Sequence, residues 1–391
     1  MTDGAAVPAP PCWPAGPRRL ERAGRAVVGV LPQYLVARAI VLGALALSHL
    51  IADRIHPSAA ARARVHQGLL GWDAGWYQAI ARFGYAPLGH QSLRFFPLYP
   101  LLGRWLGVLP GLTDGRALLV VANVAALVAS ALLLVLVRRE TSDGAMADRS
   151  VWLLSLVPPA FVLVMGYAEA ALLVFTIGCF LALRRPGAAP LWWAAALLGV
   201  CAGLTRPLGL LLAIPVAVEA VRRWRHARGG ERVMSAVAVM APVAGAGAFL
   251  CWSWGVFGDA WLPLRVQSQA GHHGGLSDPV HTLVDDARGV FHHHFGTALH
   301  VPWVVLVVAL VVVCWWRLPA AYGAFATAVV VVALSGTNLD SFERYALSAF
   351  PLVIAGATLT ASRRVEIGVL ALAAAGLAAY AVMAFLNISV P

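Results

Sequence analysis

The chain has 391 residues, of which 60% are hydrophobic and only 12% charged, with a formal net charge of +11 and a mean hydropathy of +0.77. Soluble domains carry about 25% charged residues, so a soluble enzyme is excluded and a polytopic, all-α membrane protein is expected. The positive balance does not indicate nucleic acid, because the arginines fall in short clusters between apolar runs, the pattern of cytoplasmic loops.

In chain order, a Pro-rich and then Arg-rich segment, 1–32, reads as a cytoplasmic tail, with 33–391 forming a single transmembrane domain. A helix needs about 20 apolar residues to span a bilayer. Candidate spans are 33–52, 116–137, 151–166, 167–183, 190–204, 207–221, 234–257, 301–316, 319–335, 345–361 and 365–387. The apolar run 95–112 is interrupted by Pro97, Pro100 and Pro110, and is expected not to cross. With eleven spans, the clusters Arg18/Arg19/Arg22/Arg25, Arg138/Arg139, Arg184/Arg185, Arg222–Arg232, Arg317 and Arg363/Arg364 all face the cytoplasm. The remaining polar features then share the outer face: the 53–95 loop, Glu169, Arg206, the 258–300 loop and the segment around Arg344.

Residues 71–102 read GWDAGWYQAIARFGYAPLGHQSLRFFPLYPLL. An acid, Asp73, stands among Trp72, Trp76, Tyr77 and Tyr85, and Asp73, Trp76, Tyr77 and Ile80 share one helical face. A carboxylate in an aromatic belt is a candidate catalytic base, and the aromatics are candidate sugar-stacking groups. Glu169, at the outer end of an apolar run and preceded by Tyr167, is costly there unless a cation accompanies it. Arg206 precedes Pro207 at a helix start, where backbone N–H groups favour an anion. Arg344 and Tyr345 open another outer helix, and a guanidinium binds phosphate through two parallel bonds. The histidines at 272, 273, 281, 292–294 and 300 crowd one outer loop without zinc-site spacing, and no metal or cofactor is expected. The cysteines read as small core residues, and no nucleotide-binding glycine loop is present.

Four segments resemble the PIG-V family of membrane mannosyltransferases. They are the 71–102 loop, Gly166-Tyr167-Ala168-Glu169, Thr205-Arg206-Pro207-Leu208-Gly209, and Glu343-Arg344-Tyr345 ahead of Phe350-Pro351. The resemblance implies a GT-C glycosyltransferase fold and mannose transfer from a polyprenyl-phosphate donor to a glycan, lipid or protein acceptor, with Asp73 as the base. Eukaryotic members carry further acids between the Gly-Tyr and Phe-Phe-Pro elements. Here Ala86 to Arg94 holds none, and His90 is the near-neutral titratable group in that interval. The absence of lysine and the wealth of Ala, Gly, Val and Pro fit a GC-rich bacterial source, for which a GPI intermediate is not the expected acceptor.

The residues support this chemistry independently. A lipid phosphate leaves as a stabilised anion, so one base suffices, with Arg206 and Arg344 carrying the developing charge. The alternative from another class is a lipid or glycan transporter using the same groups to bind a headgroup; no inverted repeat is evident in the sequence.

Overall fold

In this computed structural model the residues described are 19–55, 58–269, 277–278, 281, 300–336, 339 and 341–388. Among them the chain is all-helical. Sixteen α-helices are described: α1 Arg19–Ile55, α2 Ala59–Gln67, α3 Asp73–Phe83, α4 Leu98–Leu106, α5 Asp114–Thr141, α6 Gly144–Leu156, α7 Glu169–Leu183, α8 Trp192–Thr205, α9 Ala213–Arg223, α10 Gly229–Phe257, α11 Leu262–Gln267, α12 His300–Arg317, α13 Ala320–Leu334, α14 Phe342–Ser348, α15 Pro351–Leu359 and α16 Arg363–Phe385. Five of them, α1, α5, α10, α12 and α16, are long and apolar enough to cross a membrane, and α7, α8 and α13 are shorter apolar helices. Most of the His-rich stretch, 270–299, lies outside the described residues.

Four expectations of extent are corrected, one being the span 151–166, which the structure divides at Val157 between α6 and a 3₁₀ turn over Pro158–Leu163. The first helix is described from Arg19, well before residue 33, and runs through Pro32. A single proline removes one backbone donor, and the flanking apolar turns carry the helix past it. The run 207–221 begins as a 3₁₀ turn over Pro207–Leu212 before α9. The expected span 345–361 is divided into α14 and α15 at Ala349–Phe350, where Pro351 has no N–H to continue the ladder. The proline-interrupted run 95–112 yields α4 with nine residues. Its length of about 14 Å is under half the roughly 30 Å hydrocarbon thickness.

The helices pack through small residues. Gly199 and Gly203 of α8 face Pro242 and Ala241 of α10, and Gly245 of α10 faces the Val200 carbonyl in return. A Cβ at Gly203 would run into the Pro242 carbonyl and the Ala246 amide, which are backbone atoms with no rotamer to yield. Such close approach replaces the hydrophobic drive that is missing between helices in lipid. Gly203→Leu is therefore expected to destabilise the fold by about 3 kcal/mol or to block it. Thermal melting in detergent, with Gly247→Leu as control because nothing lies within 4 Å of that Cβ position, measures the difference.

The first loop docks on the bundle as a cap. The Gly166 amide donates to the Leu69 carbonyl at 3.0 Å, and Cβ positions at Gly115 and Gly166 would meet Leu70. Helix α3 buries Ala74, Tyr77, Ile80 and Ala81, and packs on α4 and α5. This brings the start of α3 against the start of α7.

Candidate active site

Four ionic side chains from four elements meet beneath this cap. Asp73 is the first residue of α3. Arg344 lies in α14, and its Nη1 donates to Asp73 Oδ2 at 2.5 Å. Its Nη2 donates to Ser341 Oγ at 3.1 Å, and its Nε lies 3.5 Å from Glu169 Oε1. Glu169, the first residue of α7, is 1% exposed. Its Oε1 also accepts from Arg206 Nη1, on the extended residue that ends α8. The order is Asp73, Arg344, Glu169, Arg206, alternating in sign. Arg206 and Arg344 are 8% and 6% exposed, whereas the Asp73 side chain keeps 27% of its surface. The acid is thus the open end of an otherwise enclosed chain of charges.

Aromatic rings frame the guanidinium groups. The Arg344 Cζ stands 5.4 Å from the Tyr167 ring centroid and 5.6 Å from that of Tyr345, and the Arg206 Cζ is 5.6 Å from the same Tyr345 ring. The Tyr167 hydroxyl accepts the Asp73 backbone N–H at 3.4 Å. Such contacts hold buried arginines without adding negative charge.

Trp72 adopts φ 57°, a region that bulky residues avoid. Its indole N–H donates to the Ala384 carbonyl at 2.9 Å, and Arg64 covers its ring at 3.9 Å. The strained residue thus lies directly before Asp73, tied to α16 through its indole and covered by Arg64 of α2. Strain persists where the surroundings over-determine it, and it gathers at working sites.

The other expected aromatics pack against further rings, Tyr77 while still within electrostatic reach of Asp73, Glu169, Arg206 and Arg344. Tyr77 packs edge-on against Phe95 and Tyr99, with centroids at 5.0 and 4.9 Å. Trp76 stacks on Phe95 at 5.9 Å. The Tyr85 hydroxyl donates to the Phe95 carbonyl at 2.7 Å, and its ring packs on Phe249 and Trp252. His90 meets Phe257 edge-on at 5.7 Å, beside the end of α10. The structure therefore gathers Asp73, Tyr167, Glu169, Arg206, Arg344 and Tyr345 together with Trp72, while Trp76 and Tyr77 have ring partners within the cap and Tyr85 and His90 have theirs on α10.

Two contributions were not read from the sequence. Arg94, immediately before the Phe95-Phe96-Pro97 run, adds positive potential at Asp73. His300 and Glu343 form a buried pair, Nδ1 to Oε1 at 2.7 Å, joining α12 to α14 next to Arg344. The sign for Arg94 was present, a basic residue at the end of an acid-free interval, but its distance in sequence from Asp73 hid it. Among the described residues no cluster of three metal-ligating side chains occurs.

Burial works against ionisation of Asp73, but Arg344, its hydrogen bond, Arg206 and Arg94 outweigh it and hold the carboxyl below its ordinary value of 3.8. A depressed carboxyl contributes stability above its unfolded value and loses it as pH falls through the folded one. The gap in melting temperature between wild type and Asp73→Asn is therefore expected to stay constant from about pH 5 to 8 and to close below about pH 4.

No family model and no curated protein matches the chain. Among solved structures, it is similar to the oligosaccharyltransferase of Archaeoglobus fulgidus in complex with Zn and sulfate, at 14% identity and a TM-score of 0.44, covering 88% of this chain and 53% of that one. The same enzyme tethered to an acceptor peptide gives 14% identity and 0.43, over 91% and 56%. The complex of that archaeal oligosaccharyltransferase with an inhibitory peptide and a dolichol-phosphate gives 13% and 0.38, over 90% and 55%. The chain spans about half the length of these structures. Likeness at this level transfers none of their ligands or chemistry to the present residues.

Proposed function

We propose that the protein is a GT-C-type, PIG-V-like glycosyltransferase that moves mannose from a polyprenyl-phosphate donor to a hydroxyl acceptor at the extracytoplasmic face. The observation that carries this reading is the Asp73–Arg344–Glu169–Arg206 chain, which presents one accessible carboxylate beside two enclosed guanidinium groups. In the proposed step the acceptor hydroxyl gives its proton to Asp73. Its oxygen attacks the anomeric carbon, and the carbon–oxygen bond to phosphate breaks, with the electron pair leaving on polyprenyl phosphate. The product has inverted configuration, and no second carboxylate is needed because the leaving group is already an anion.

Arg344 connects the two halves of this step. In the unliganded arrangement it neutralises Asp73. A donor phosphate that takes one of its N–H groups loosens that grip, and Asp73 becomes a stronger base when a donor is in place. Arg206, fixed by Glu169, supplies a second positive group. The buried Glu169 Oε2 has no hydrogen-bond partner among the described residues, and a donor hydroxyl would satisfy it. The chemistry needs neither a metal nor a cofactor. The lipid bilayer supplies the donor, and nucleic acid has no part.

Donor choice tests the reading. Purified protein is expected to consume polyprenyl-phosphate mannose and to ignore GDP-mannose. Turnover of the nucleotide sugar alone would overturn the lipid-donor assignment. The orientation is tested by cysteine labelling in intact cells, where position 73 is expected to react from outside; labelling from the cytoplasm alone would reverse it.

A further inference from the structure

A second cluster of charge lies far from Asp73. Helix α7 begins at Glu169 and ends at Leu183, and its 15 residues measure about 22 Å. Beyond that far end, Arg184 and Arg185 open a short loop to α8. The 3₁₀ turn after Arg206 and α9 likewise lead from the site to Arg222 and Arg223. Helix α5 ends on the same side with Arg139 and Glu140 in its last turn. These ends enclose a cavity of about 660 Å³ lined by Arg139, Glu140, Arg184, Arg185, Arg222 and Arg223.

We propose that this cavity binds the phosphate headgroup of an anionic phospholipid. Its floor is built. Arg184 donates to both Glu140 oxygens at 2.8 and 3.0 Å and to Glu219 Oε1 at 2.9 Å. Glu219, 1% exposed, also receives Arg222 at 2.7 Å. The loop wall is pinned by the Leu191 amide, which donates to the Ala182 carbonyl at 2.9 Å. Arg223 reaches Glu231 at 3.6 Å. Arg139 and Arg185 have no carboxylate contact among the described residues, and the Arg185 Nη1 donates only to the Ala189 carbonyl. The cavity therefore retains positive charge that its own acids do not neutralise, at fixed positions, in a volume suited to a small ligand.

The surroundings favour a lipid over a soluble anion. Trp193, in the first turn after the loop, is 61% exposed, and Trp224, directly after Arg223, is 49% exposed. Exposed tryptophans mark the headgroup level of a bilayer, and basic pockets between helices at that level hold anionic headgroups. The neighbouring α8 surface continues outward through Leu197, 59% exposed, where acyl chains would lie.

The test compares wild type with Arg139→Gln/Arg185→Gln, which removes the two arginines without carboxylate contacts and so leaves the floor intact. An Arg363→Gln/Arg364→Gln protein loses equal charge elsewhere and serves as control. After purification from micelles containing phosphatidylglycerol, native mass spectrometry is expected to show phosphatidylglycerol retained by wild type and by the control, and at least tenfold less by the cavity variant, which still melts like wild type in phosphatidylcholine. Equal retention by all three proteins would overturn the site. Thermal protection by inorganic pyrophosphate in lipid-free micelles, with none from phosphatidylglycerol, would assign it to a soluble phosphate and overturn the lipid.

Discussion

Asp73→Asn is expected to reduce transfer by about 10²–10⁴-fold, the usual cost of removing a general base, while the protein still folds. Asparagine keeps an oxygen that accepts from Arg344, and the position is 27% exposed, so the loss of charge is partly absorbed by solvent. The change should lower kcat, because the proton moves only in the transition state, while donor binding holds or tightens, since the donor phosphate no longer competes with a carboxylate for Arg344. Near-wild-type turnover by this variant would remove Asp73 from the mechanism. A variant with weakened donor binding and unchanged kcat would make it a binding residue instead.

Arg344→Ala should do more damage, because this side chain serves two acids and spans two tasks. It contacts both Asp73 and Glu169. Its loss leaves two carboxylates with Arg206 as the remaining enclosed guanidinium. Breaking an ion pair at a buried residue costs about 3 kcal/mol, so melting temperature is expected to fall by several degrees. Activity is expected to fall by more than about 10²-fold, from lost stabilisation of the leaving phosphate. Donor affinity and kcat should fall together. Arg344→Lys separates the effects: a lysine restores charge and much of the stability, but it cannot hold Asp73, Ser341 and a phosphate with one planar fork. Full recovery of activity by lysine would show that only net charge matters at this position.

The electrostatics differ from what the sequence suggests. From sequence, Glu169 is expected to need a cation, and Arg206 and Arg344 to carry the charge of a donor phosphate. In the structure both arginines do converge on one oxygen of Glu169, but Asp73 supplies the second negative charge. Within this four-residue chain the charges balance without a ligand, and Arg94 adds positive potential beside it. In the proposed mechanism a donor phosphate competes with Asp73 for Arg344, which would couple donor binding to the basicity of Asp73.

Much of this arrangement is legible in the sequence because intramembrane charges are costly and therefore few. Glu169 and Arg206 stand out as polar positions at the ends of apolar runs, Arg344 closes a polar segment that precedes one, and hydropathy marks those runs as helices. The partners are less legible. Asp73 and Arg344 are separated by 271 residues, and no periodicity links them. Aromatic residues are ambiguous for a physical reason: a ring suits a sugar face and a protein core equally, and Tyr77 and Tyr85, which read as ligand platforms, also pack against Phe95, Tyr99 and Phe249. Helix ends escape where backbone chemistry competes with hydropathy, as at Pro351, which divides one apolar run into two helices.

The most direct test of the central claim is release of polyprenyl phosphate from synthetic polyprenyl-phosphate mannose by purified wild-type protein and by Asp73→Asn, measured side by side in the same membrane mimetic. Acceptor-dependent release is expected from wild type, and at least about 10²-fold less from the variant. Equal release by the two proteins, or binding of the donor by wild type with no cleavage in the presence of a broad acceptor mixture, would contradict it.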